Sequence, residues 1–95
     1  MANYKLSNAA KEDLIRIHHY GVSQLGHDQA DKYFDAFFDC FEMISQRPFL
    51  FESVDNIKIG YRRCVRGVDS IFFRIENDSV EIMAIIGRQD INGIL

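Results

Sequence analysis

The chain has 95 residues and a mass of 11.0 kDa, enough for one domain around one core. A hydrophobic fraction of 47%, with one proline and six glycines, excludes disordered, collagen-like and linker-like material. The net charge of −3 gives the molecule as a whole no electrostatic case for binding nucleic acid.

In chain order, Tyr4-Lys5-Leu6 reads as a short strand, and Ser7 or Asn8 as the cap of a first helix. Ala10, Leu14, Ile17 and Gly21 recur at helical spacing, widened by Ile15, Val22 and Leu25. Lys11, Glu12, Asp13 and Arg16 take the other side. Gly26 suits the stop, where a left-handed residue is wanted. Asp28 is expected to cap a second helix, with Asp31 in its first turn. In it Ala30, Tyr33, Phe34, Phe37, Phe38, Phe41 and Ile44 form an apolar stripe. Asp31, Lys32, Asp35, Asp39 and Glu42 form its polar face, and Pro48 ends it. The short turn around Gly26 predicts an antiparallel helical hairpin.

The period then changes from helical to alternating. Residues 49–56 read as a loop. Residues 57–65, 68–75 and 80–86 read as strands, joined by turns at Arg66-Gly67 and at residues 76–79. In the last strand strict alternation puts Val80, Ile82, Ala84 and Ile86 on one face. Met83 and Ile85 make the other face apolar too, so both faces should be at least partly covered. The expected fold is α+β with order β-α-α-β-β-β: a helical hairpin on one face of a small, mainly antiparallel sheet, in a single domain spanning 1–95. The other face, which carries part of the arginine set, should be more open.

Charge is unevenly spread. Residues 7–46 hold three basic and seven acidic side chains, a net of −4. Residues 58–74 hold Lys58, Arg62, Arg63, Arg66 and Arg74 against Asp69 alone, a net of +4. This asymmetry suggests a partner surface on the second half. Tyr61 and Arg63 should share one strand face and Arg62 the other. Arginine forks suit carboxylates and phosphates equally, so the cluster by itself selects no partner.

Other chemistry has little support. His18 and His19 are adjacent on a helix and diverge, with no ligand type three or four residues away, and His27 lies in the turn. No metal or other cofactor is expected. Cys40 and Cys64 are too few for a disulfide framework and read as free, space-filling thiols. No nucleophile elbow and no phosphate-cradling glycine loop occurs. No stretch is apolar for the roughly 18 residues of a membrane span, and no basic-then-apolar leader opens the chain, so a cytoplasmic location is expected. Ala36, Cys40 and Met43 lie between the stripe and the polar face of the second helix, an apolar strip that a partner would cover.

Several ordered segments together resemble the ParE toxins of the RelE/ParE superfamily. They are Tyr4-Lys5-Leu6-Ser7 with Ala10, Asp13-Leu14 and Ile17; Gly26, Gln29-Ala30 and Tyr33; Pro48; and Gly60-Tyr61-Arg62-Arg63. Further along come Ile71-Phe72-Phe73-Arg74-Ile75, Val80-Glu81-Ile82 and the run from Ile85 to Asp90. The resemblance spans residues 4–90. One departure is Gly87, where many relatives carry a histidine. The resemblance implies a small bacterial toxin of a type II toxin–antitoxin pair, of the kind that serves plasmid or chromosome maintenance. Such a toxin traps the cleaved-DNA complex of DNA gyrase, on its A subunit, and is neutralised by a ParD-like antitoxin. The alternative within the superfamily is a ribosome-dependent messenger-RNA endoribonuclease of the RelE type.

The residues favour the gyrase branch. Cleavage at a 2′-hydroxyl needs a general base and a general acid. All three histidines lie within residues 18–27, no tyrosine follows Tyr61, and Lys58 is the only lysine after Lys32. Arginine stays protonated and is a poor base. A non-catalytic toxin is therefore expected. Arg62, Arg63, Arg74, Arg88 and Asp90 are its candidate target contacts, and Ala36, Cys40 and Met43 its candidate antitoxin contacts.

Overall fold

The computed structural model describes residues 3–87. Strand β1, Tyr4–Leu6, leads directly into helix α1, Asn8–Leu25. Ser7 is the cap: its Oγ accepts the Ala10 N–H at 3.0 Å and donates to the carbonyl of Met83 at 2.9 Å. One hydroxyl thus starts the helix and pins it to the sheet.

Gly26, with φ of +86°, both closes α1 and opens helix α2, His27–Gln46. The expected cap, Asp28, sits instead inside the first turn of α2, where its charge still suits the dipole. The turn is two residues tighter than the sequence suggested, because a single glycine at positive φ makes the reversal. Gly21 and Ala30 then meet at the crossing: a Cβ on Gly21 would lie 3.2 Å from that of Ala30. His18 Nε2 and Asp31 Oδ1, 2.8 Å apart, tie the helices further along.

After a single 3-10 turn at Pro48–Leu50 come β2, Glu52–Ser53, and β3, Tyr61–Arg66. The hairpin strands β4, Asp69–Glu76, and β5, Ser79–Gly87, complete the sheet. Its order is β1-β5-β4-β3-β2. Pairing is antiparallel throughout except between β1 and β5, which run parallel. A parallel neighbour is what the α1–α2 crossover allows. The expected α+β fold, a helical hairpin on one face of a mainly antiparallel sheet, is the fold observed.

Three expectations about the strands need correction. The segment read as loop contains β2. Residues 57–60 are a turn, not the start of a strand: Gly60, at φ +85°, donates its N–H to Asp55 Oδ1 at 2.8 Å, and β3 begins at Tyr61. The alternation in β5 breaks at a bulge, where Phe72 pairs with Ala84 but Phe73 pairs with Ile82. The extra residue, Met83, turns the pleat over. Val80, Ile82 and Ile85 therefore face the helices, while Ala84 and Ile86 face away.

Two apolar clusters result. The main one sits between helices and sheet and joins Leu14, Phe37, Phe41 and Ile44 to Ile71, Phe73, Ile82 and Ile85. The second, on the opposite face, consists of Val54, Tyr61, Phe72, Ala84 and Ile86. That face is less open than expected. Residues 54–58 fold over it, held by Val54 N–H to the Tyr61 carbonyl at 2.8 Å and Ile57 N–H to the Val54 carbonyl at 2.8 Å.

Ser7→Ala removes a helix cap and a tie to β5 together. It should lower unfolding free energy by about 1–2 kcal/mol, read by urea denaturation.

Candidate interaction surfaces

The strand arginines divide between the two faces of the sheet. Arg62, Cys64 and Arg66 lie on the helix side, and Tyr61, Arg63 and Val65 on the other, as alternation requires. Arg62 donates to the Phe51 carbonyl at 2.7 Å, with its guanidinium 5.0 Å from the centre of the Phe49 ring. It clamps the 3-10 turn against β3. Arg63 donates from Nε to Glu52 Oε1 at 2.7 Å, across the short β2–β3 ladder. Arg74 donates to Glu81 Oε1 from Nε at 3.1 Å and from Nη2 at 2.8 Å, and Nη2 also lies 3.0 Å from Glu76 Oε2. The bond to Glu81 holds its guanidinium even more firmly protonated than usual. Arg63 and Arg74 are therefore neutralised where they fold, while Arg62 spends its fork on a backbone carbonyl and an aromatic ring. Arg88 and Asp90 lie outside the described residues.

Arg66 differs from these three. Its guanidinium lies 5.8 Å from the centre of the Tyr33 ring, and its buried Nε has no hydrogen-bond partner among the described residues. A buried donor left so costs about 1–3 kcal/mol. The neighbouring acid is engaged elsewhere: Asp69, almost fully buried, accepts the Tyr33 hydroxyl at 2.8 Å. Burial and that bond push the Tyr33 phenol far above its ordinary value. Gly67, at φ +59°, makes the β3–β4 turn, and a Cβ there would come 3.1 Å from the Tyr33 hydroxyl. Sequence reading counted Arg66 only as turn charge. Its alternation with Arg62 and Cys64 was the available signal.

On α2, Ala36 and Cys40 are half-buried and Met43 is half-exposed. Cys40 packs against the main cluster, in which Cys64 is buried, and both are free thiols, as expected. Burial raises the Cys40 thiol, and raises Cys64 from 9.0 to about 11. A groove of about 610 Å³ runs between the helical hairpin and the β3–β4 turn, walled by Ile17, Tyr20, Leu25, Tyr33, Val68 and Gly87 among others. The histidines all lie in the helical layer, in α1 and at the start of α2. Among the described residues no group of three metal-ligating side chains occurs, and no helix is long and apolar enough to cross a membrane.

The family model for the ParE toxin of the type II toxin–antitoxin system parDE matches residues 4–92. The chain belongs to the ParE toxin family. It is 35% identical over 86 residues to Toxin ParE1 of Caulobacter vibrioides (strain ATCC 19089 / CIP 103742 / CB 15), covering 90% of this chain and 88% of that protein. In fold it is similar to a chain of the chromosomal ParDE TA system from P. aeruginosa, with a TM-score of 0.80 and 21% identity, over 92% of this chain and 96% of that one. The ParE membership expected from residues 4–90 is thus shown, and this member carries Gly87 at the end of β5.

The raised Cys64 thiol links stability to pH. Above pH 9 the unfolded thiol ionises while the folded one keeps its proton to about 11, so the unfolded state binds fewer protons and stability falls as pH rises through this window. Urea midpoints measured from about pH 8 upward should decline, and Cys64→Ala should make the decline shallower although it weakens packing. Gly67→Ala should be destabilised by about 1–2 kcal/mol in the same assay, from the left-handed backbone alone.

Proposed function

We propose that this ParE-family toxin acts by binding, not by catalysis: it traps the cleaved-DNA complex of DNA gyrase through the A subunit and is neutralised by a ParD-like antitoxin. The observation that carries this is the family match over residues 4–92. The disposition of acid–base groups supports the non-catalytic part. Tyr61 is 7% exposed beneath the residue 54–58 loop, Arg63 and Arg74 are tied to carboxylates, and the histidines belong to the helical layer. None of these is a free base beside a free acid, which strand cleavage needs.

Arg62, Arg63, Arg74, Arg88 and Asp90 remain the proposed target contacts. Arg63 and Arg74 would exchange their internal partners for groups of gyrase or its DNA, a trade of charge-assisted bonds with small net energy. Arg88 carries the sharper expectation, since it follows the last strand. Ala36 and Cys40, half-buried on α2, and the more exposed Met43 are the proposed antitoxin contacts.

Purified toxin, gyrase and supercoiled plasmid should yield linear DNA after detergent and protease treatment. Arg88→Glu should weaken this strongly with an unchanged melting temperature. Linearisation absent with wild type, together with cleavage of translated messages in primer extension, would replace this reading with the ribonuclease one. Adding the antitoxin should protect α2 amides from hydrogen exchange, and Met43→Glu should reduce that protection.

A further inference from the structure

The ladder leaves part of one strand uncovered. β2 pairs only with Arg62 and Arg63, so residues 64–66 of β3 have no strand on their outer side among the described residues. Val65, on that stretch, is 62% exposed. An uncovered strand edge can accept an added strand. From α2, Cys40 packs on the cluster that contains Cys64 of β3, and Tyr33 stands over Arg66, so an apolar side of the helix approaches this part of the strand.

Arg66 stands at this junction. Its ring partner Tyr33 orients the guanidinium, and Asp69 is held by the Tyr33 hydroxyl. No carboxylate lies within ion-pair distance of Arg66 among the described residues, in contrast to Arg63 and Arg74. Nε is covered by protein, so a newcomer meets the Nη end of the fork. This is a preoriented cation without an anion among the described residues.

We infer that the flank between α2 and the outer edge of β3 docks an extended apolar peptide segment carrying an acidic side chain, whose carboxylate Arg66 takes. The inference rests on the antitoxin reading of the same flank and gives that segment its chemistry. The acid should be isolated, because Asp35 and Asp39 are exposed on α2 and repel a run of acids. Those residues and the net charge of −3 also disfavour a nucleic acid, although its phosphates would suit the fork.

The test selects peptides of about twelve residues from a random display library on the full-length chain. Affinities follow by fluorescence polarisation, without gyrase. The strongest peptides should carry one Asp or Glu among apolar residues and should protect α2 and β3 from hydrogen exchange. Changing that acid to its amide should weaken binding to wild type about tenfold and change nothing on Arg66→Gln, the signature of direct coupling. Lys11→Gln, at an exposed position on α1, should bind as wild type does. Peptides without a carboxylate, amide twins that bind equally well, protection elsewhere, or an oligonucleotide whose binding is lost in Arg66→Gln would each overturn the inference. If Arg66→Gln melts early, the amide comparison on wild type decides alone. A toxin that fails to trap gyrase but shows the coupling overturns the target reading and leaves this one standing.

Discussion

Phe37 and Phe41 of α2, buried against Ile71, Phe73, Ile82 and Ile85, are the contact on which the rest of the structure depends. Each such side chain contributes about 1.5–3 kcal/mol when fully buried, and a chain this short has a single main core to draw it from. The contact dictates the register of β5. Ile85 reaches the helices only because the Met83 bulge inverts the pleat, and the same inversion sends Ala84 and Ile86 to the far face. The second cluster is a consequence: once Ile86 and Phe72 point away from the helices, residues 54–58 must fold over them.

The shortness of β1 leaves backbone groups of β5 without a strand partner on that side, since β1 pairs with it only from Val80 to Ile82. Side chains from the start of α1 meet them. Ser7 donates to the Met83 carbonyl, Asp13 accepts the Ile85 N–H at 2.9 Å, and Arg16 donates to the Ile85 carbonyl at 3.3 Å. A helix thus serves as the missing strand and closes that edge against unwanted pairing. The opposite edge of the sheet is managed differently. β2 is too short to cover β3, and residues 64–66 are left without a strand beyond them among the described residues.

Electrostatics follows the same division. Arg62, Arg63 and Arg74 act within the chain, holding the 3-10 turn, the β2–β3 ladder and the β4–β5 hairpin. Arg63 and Arg74 are compensated by carboxylates, and Arg62 is engaged by the Phe51 carbonyl and the Phe49 ring. What distinguishes Arg66 is that Tyr33 engages Asp69, the one acid that stands opposite it in the ladder. Among the described residues, a cation without a carboxylate partner therefore lies on a strand edge without a neighbour, near the half-buried side of α2.

The hairpin was legible in the sequence because helical periodicity is local: the Phe37 and Phe41 stripe, Ser7 before it and Gly26 between the helices each act within a few residues. The three long strands and most of their bounds were legible for the same reason, and the ordered segments from Tyr4 to Asp90 carried the ParE resemblance. The sequence could not disclose the bulge, because alternation in β5 reads equally well with or without an inserted residue until the helices demand Ile85. Nor could it divide the arginines. Arg63 and Arg66 are the same residue type three positions apart, and their difference depends on whether Glu52 or Asp69 is brought near and left available. Patterning by itself determined which segments are helices and strands and which of their faces are apolar. Which charges cancel and which remain free was decided only in the folded chain, because pairing across β2–β3 and across α2–β4 joins groups that no local pattern connects.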